Sequence, residues 1–143
     1  MDNRQLQIIL MVGLPRSGKT IWAKEYARKN PNFIIVSPDT IRLALHNNRF
    51  IAEAEEFVWA IHYTMIKTLL LQGYDIIVDA TNTTEKRRKP YSYKFKGCHI
   101  RTKVIFTSKE ICIERATKEN DSEIIPIINK MAEQYEPCEN TLT

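Results

Sequence analysis

Short uninterrupted apolar runs alternate along this chain with longer stretches in which apolar positions return every three or four residues. The runs at 8–12, 33–36, 75–78 and 100–107 have strand length, and their continuous apolar character predicts a parallel sheet covered on both faces. Helical periodicity predicts helices over 18–29, 38–46, 50–72, 85–95, 109–118 and 123–134. In the longest of these, Phe50, Ala54, Phe57, Val58, Ile61, Met65, Ile66 and Leu69 form a stripe expected to face the core, and Gly73 is expected to end the helix. Trp22, Trp59 and His62 fall within such patterns and are read as packed side chains. Each crossover is long enough for a right-handed βαβ connection, so the class is α/β. No repeat or low-complexity linker divides the 143 residues, and one domain over 1–143 is expected.

Composition adds little to this. The net charge of +4 favours a polyanionic partner, although solvated lysines account for it equally well. Cys98, Cys112 and Cys138 are odd in number and lack metal-ligand spacing, which points to reduced thiols in a cytoplasmic setting. The apolar runs are too short for a signal peptide or a membrane span.

The informative residues lie where the first strand meets the first helix. Gly13-Leu14-Pro15-Arg16-Ser17-Gly18-Lys19-Thr20 has the spacing of a loop whose backbone N–H groups, with the helix N-terminus behind them, wrap a polyphosphate. Lys19 is expected at the β- and γ-phosphates and the Thr20 hydroxyl on Mg²⁺. Gly13 and Gly18 supply close approach and backbone conformations that a β-carbon obstructs.

Ligands of open α/β sheets bind at the carboxyl ends of the strands, and three further clusters fall there. Ser37 and Pro38 start a helix that sets Asp39 in its first turn and Arg42 one turn along. The pair fits a general base with an anion-holding arginine, and equally a favourable helix start. Asp79, Thr81 and Asn82 end the third strand, as metal- or acceptor-binding groups or as a capped loop. Lys86, Arg87, Arg88 and Lys89 form a basic run of which one or two members can face a site, the rest making a solvated face. Glu114, Arg115 and Lys118 follow the fourth strand, and Arg115 is the candidate for stabilising a migrating phosphoryl group.

Together these residues resemble the P-loop kinases related to the 5′-hydroxyl polynucleotide kinase of bacteriophages. The resemblance rests on residues 13–20, Trp22-Ala23-Lys24-Glu25, Asn30-Pro31-Asn32-Phe33, Asp39 with Arg42, Asp79 with Thr81 and Asn82, Arg87, Arg88, Arg115 and Ile125-Pro126. It implies a P-loop NTPase three-layer sandwich with a four-stranded parallel sheet ordered 2-3-1-4. It also implies ATP and Mg²⁺, with Gly13 to Thr20 and Lys118 around the nucleotide. Lys19, Asp39 and Arg115 would be catalytic, with Asp39 as general base for a nucleic-acid 5′-hydroxyl. Arg42, Asp79, Thr81, Asn82, Arg87 and Arg88 would hold the acceptor. The setting implied is the cytoplasm of a bacterial or phage-infected cell; homo-oligomers are common in the family, but no residue pattern here predicts one. Two positions depart from the pattern: Arg16 stands where the phage-type loop has a second glycine, and Glu119 where the lid has a second arginine, with Lys118 beside it as a point charge. No Asp-x-Asp motif follows, so a companion phosphatase domain is not expected. A small-molecule kinase for a nucleoside, sugar or antibiotic, and a nucleotide-binding module with weak catalysis, are the competing readings.

Overall fold

The computed structural model describes residues 4–139 and 141–143. Strands β1 (Gln7–Val12), β2 (Phe33–Val36), β3 (Asp75–Val78) and β4 (His99–Val104) form one parallel sheet in the order β2-β3-β1-β4. The order and the all-parallel pairing match the expectation. Both inner strands, β1 and β3, are buried on their two faces, which is why their sequences are apolar without alternation.

Helices α1 (Lys19–Lys29), α2 (Pro38–His46), α3 (Glu55–Leu71), α4 (Glu85–Lys94), α5 (Lys109–Lys118) and α6 (Ile125–Gln134) complete the chain, with short 3₁₀ turns at Ala52–Ala54 and Ser122–Ile124. Ile8 and Leu10 of β1 point to the face where Ile66 and Leu70 of α3 meet Tyr91 and Phe95. Ile9 and Met11 point to the opposite face, against Ala23 and Trp22 of α1 and against Leu142. A third cluster, built on Cys112, Ala116, Ile124 and Ile128, joins α5 to α6 and reaches Leu14 in the loop after β1.

Three expectations need correction. The long helix begins at Glu55, not at residue 50, and Phe50 is 60% exposed in the segment ahead of it. Its core face is Val58, His62, Ile66 and Leu70, one residue per turn, while Phe57 and Met65 of the expected stripe are exposed. Strand β4 stops at Val104, because its partner β1 stops at Val12 and the Ile105 amide makes the last cross-strand bond, to the Val12 carbonyl at 2.8 Å. Gly73 does end α3, with φ of 91°. Beyond β4, the Leu142 amide donates to Thr102 O at 2.6 Å, laying the last residues along that sheet edge.

Candidate functional site

Strand β1 delivers the chain into the turn 13–18. Gly13 is required for space, because a β-carbon there would lie 2.8 Å from Ser17 Oγ and 3.2 Å from the Ile105 carbonyl oxygen. Gly18 is required for conformation, since φ is 106° but a β-carbon would meet nothing within 4 Å. The turn is closed by Gly13 N–H donating to Thr81 O at 3.0 Å and Ser17 N–H to Leu14 O at 3.1 Å. Thr107 backs it from the segment after β4, donating its hydroxyl to Ser17 O at 2.7 Å.

Helix α1 opens from this turn without a side-chain cap and without an acidic residue in its first turn. Helices α2, α4 and α5 are capped by Ser37, Thr84 and Ser108. The first-turn amides of α1 therefore face the loop with the positive end of the helix dipole uncompensated, a setting that suits an anion. Lys19 is nearly buried over the loop and donates Nζ to Leu14 O at 2.7 Å, with two ammonium donors left over. Burial lowers its pKa, and the carboxylates of Asp79 and Asp39 push it back up, so both acids act electrostatically on the same ammonium. Thr20 donates its hydroxyl to Asp79 Oδ2 at 2.7 Å. Two hard oxygen donors so placed suit a divalent cation. Among the described residues no cluster of three metal-ligating side chains forms, so such a cation would take the rest of its shell from phosphate and water.

Two hollows meet at this loop. The smaller, of about 400 Å³, is lined by Arg16, Ser17, Gly18, Lys19, Thr20 and Ile21 together with Arg115 and Glu119. The larger, of about 650 Å³, runs from Pro15, Lys19 and Thr20 across Asp39, Arg42, Asp79, Thr81 and Asn82 to Arg87. Lys19 and Asp39 thus open on one cleft. Asp39 projects from the first turn of α2 with its side chain 75% exposed. Arg42 is held between two carboxylates: Nη1 donates to Asp39 at 2.7 Å, and Nε and Nη2 grip Glu55 at 2.9 and 2.7 Å. That grip lowers the Glu55 pKa and fixes the arginine at the mouth of α3. Arg87 lies over the Trp59 ring at 4.4 Å, and both border the cleft.

Two residues expected at the site are engaged elsewhere. Arg88 donates to the carbonyls of Asn82, Glu136 and Pro137, clamping the chain after α6 onto the start of α4. Lys118 is 73% exposed and pairs with Glu114 at 3.0 Å on the outer side of α5. Asn82, although it borders the cleft, is buried and donates Nδ2 to Met11 O at 2.9 Å, bracing β3 against β1. Arg115 turns inward and donates Nη1 to Arg16 O at 2.9 Å.

Sequence reasoning missed Glu55, Arg49 and Asp121 at the cleft, and assigned Phe50, which also borders it, to the core. Arg49 donates to both oxygens of Asp121 at 3.0 and 2.6 Å, and the same carboxylate accepts Arg16 Nη2 at 2.8 Å. These two guanidiniums hold the Asp121 pKa down at about 2. Arg16 also pairs with Glu119, so the two positions that depart from the phage-type pattern are in contact with each other. No local spacing relates residue 16 to 119 or 49 to 121; only the fold brings them together.

The model of the AAA domain family matches residues 8–136. Human heterogeneous nuclear ribonucleoprotein U-like protein 2 is 63% identical over 27 residues, which is 19% of this chain and 4% of that protein. A chain of the Pnkp1/Rnl/Hen1 RNA repair complex superimposes with a TM-score of 0.74 at 20% identity, covering 99% of this chain and 50% of that one. The APS kinase CysC of Mycobacterium tuberculosis, in complex with AMPPNP and APS, gives 0.67 at 17% identity, covering 97% and 88%. This chain spans half the length of the repair-complex chain and a small fraction of the curated relative. What these structures share with it is the fold.

Proposed function

We propose, given that this chain belongs to the AAA domain family, that it is an ATP-dependent kinase transferring the γ-phosphate to the 5′-hydroxyl of a nucleic-acid end. The observation that carries this is the shared cleft, with Lys19 and Thr20 on one wall and Asp39 and Arg42 on the other. The uncapped start of α1 favours the polyphosphate, and Lys19 neutralises it where the terminal phosphates lie. Thr20, with Asp79 behind it, would hold Mg²⁺, which supplies charge neutralisation to the β- and γ-oxygens when bound.

In the transfer, the acceptor oxygen bonds to the γ-phosphorus as the γ-phosphorus–oxygen bond to the β-phosphate breaks, its electron pair leaving with ADP. The hydroxyl proton passes to the Asp39 carboxylate. Arg42 lies next to that carboxylate and would hold an acceptor phosphate while remaining tethered by Glu55. Arg115 approaches from the donor side, beside the loop. Arg87, stacked on Trp59 at the border of the same cleft, adds a second cation that would contact acceptor phosphate.

A second reading is supported by the likeness to the APS kinase, which this chain matches over nearly the whole of both lengths. A cleft of about 650 Å³ also suits a small hydroxylated acceptor. Incubation with γ-labelled ATP, Mg²⁺ and a panel of 5′-hydroxyl DNA, RNA, mononucleotides and sugars separates the two. Label on oligonucleotide ends supports the nucleic-acid reading; label on sugars or mononucleotides alone replaces it. ATP binding with no label on any acceptor would leave a nucleotide-binding module.

A further inference from the structure

The two hollows described above have three bordering residues in common: Arg16, Lys19 and Thr20. A phosphoryl group passing from the donor side to the acceptor side must cross the boundary that these three make. Lys19 and Thr20 already have roles there. Arg16 is the third side chain at the crossing, and it is a cation at the tip of the loop.

Its backbone is left-handed, with φ of 66°. A glycine takes that conformation freely, whereas a β-carbon there is sterically strained. The side chain is not idle. Its guanidinium is shared between Asp121 at 2.8 Å and Glu119, whose side chain is 63% exposed. An ion pair with so exposed a carboxylate is weak, and the several negative charges of a polyphosphate outweigh it. Asp121, 14% exposed and also gripped by Arg49, is the fixed end of the arrangement; Glu119 is the replaceable one.

We propose that Arg16 is a catalytic residue that exchanges Glu119 for the migrating γ-phosphoryl group, with Asp121 and Arg49 as the pivot that keeps its guanidinium over the crossing. This rests on the phosphotransferase reading. The bonds made and broken are those given above; the guanidinium gains and loses no atoms, and stabilises charge on the equatorial oxygens as the oxygen–phosphorus bond to ADP opens. Glu119 acts as a placeholder, keeping the arginine extended until the nucleotide enters.

The test uses the full chain and three variants, Arg16→Gly, Glu119→Gln and Lys19→Met. It measures ADP affinity, the tightening of ADP by aluminium fluoride with a 5′-hydroxyl oligonucleotide present, and γ-phosphate transfer. Glycine suits φ of 66°, so Arg16→Gly keeps the loop, and a melting curve checks this. Arg16→Gly should bind ADP within about threefold of the parent while losing aluminium fluoride tightening and transfer by about 10²–10³-fold. Glu119→Gln should strengthen the fluoride complex by about two- to fivefold, the worth of the exposed pair it removes. Tightening retained in Arg16→Gly, or lost in Glu119→Gln together with Arg16→Gly, overturns the proposal; the second result would make the ion pair itself the working part. If Lys19→Met loses tightening and Arg16→Gly does not, the assignment of Arg16 alone falls. If neither variant changes anything, the phosphotransferase reading falls with it.

Discussion

Arg42 is gripped by Glu55 through two parallel hydrogen bonds of 2.9 and 2.7 Å, which ties the helix carrying the proposed base to the first turn of α3. The two side chains are 14% and 18% exposed, so the pair is shielded without being sealed from water. Replacing Glu55 by Gln leaves the guanidinium with Asp39 as its carboxylate partner. Stability should fall by about 1–2 kcal/mol, as for a half-shielded charged hydrogen bond. The Michaelis constant for the acceptor should rise more than that for ATP, because Arg42 then neutralises Asp39 instead of holding substrate. Thermal unfolding and steady-state kinetics with each substrate varied check both effects.

Asp39 is the proposed proton acceptor of the transfer. Asp39→Asn keeps the shape of the first turn of α2 and removes the proton acceptor. Transfer should fall by about 10²–10⁴-fold, while ATP affinity, set by the loop on the far wall of the cleft, stays within about twofold. Equilibrium binding of a fluorescent nucleotide alongside a transfer assay gives the two numbers. Equal losses in both would remove Asp39 from the role of base.

Thr20 and Asp79 share a hydrogen bond of 2.7 Å, and each should contribute to cation binding. Thr20→Val preserves the helix start and deletes the hydroxyl. The Mg²⁺ concentration needed for half-maximal transfer should rise at least about tenfold, and Asp79→Asn should move the same constant in the same direction. A Mg²⁺ titration at saturating ATP reads it.

His62 gives the fold a dependence on pH. It is fully buried in α3, with Nε2 2.8 Å from the Tyr91 hydroxyl and Nδ1 without a partner, and burial lowers its pKa from 6.5 to about 4. The unfolded chain takes up the proton below pH 6.5 and the folded chain only near 4. The stability contribution is therefore complete above 6.5 and declines as pH falls between those values, by about 3 kcal/mol in all. Denaturant titrations of the parent and of His62→Phe across that range check it. The decline should be absent from the variant.

The sheet was legible because its inner strands are buried on both faces and, beyond their first residues Gln7 and Asp75, are wholly apolar; Ile8 to Val12 could be little else. The phosphate loop was legible because its chemistry is local, within eight consecutive residues. The face of α3 was misread for the opposite reason. Val58 and Ile66 of the expected stripe are core and His62 is packed as expected, but Phe57 and Met65 lie on the surface, because tertiary packing decides which side of a broadly apolar helix meets the sheet. Arg88 could not be told from Arg87 by sequence, since adjacent residues on one helix diverge in direction, one reaching the cleft and the other the carbonyls of Glu136 and Pro137. Arg42 meets Glu55 because α2 and α3 fold back on each other within one crossover, and Arg16 meets Asp121 because the segment after α5 returns to the loop after β1; no sequence period encodes either pairing.

Neighbouring strands β1 and β3 send the chain to opposite faces of the sheet, α1 to one and α4 to the other. The donor wall is thus inherited from the β1–β2 crossover through α1, and the acceptor wall from two others, β2–β3 with α2 and the 47–55 segment, and β3–β4 with α4. On the proposed kinase reading, drift in the acceptor wall would change what is phosphorylated while the β1–β2 crossover goes on holding the same triphosphate. A scaffold divided in this way can acquire new customers without relearning its trade.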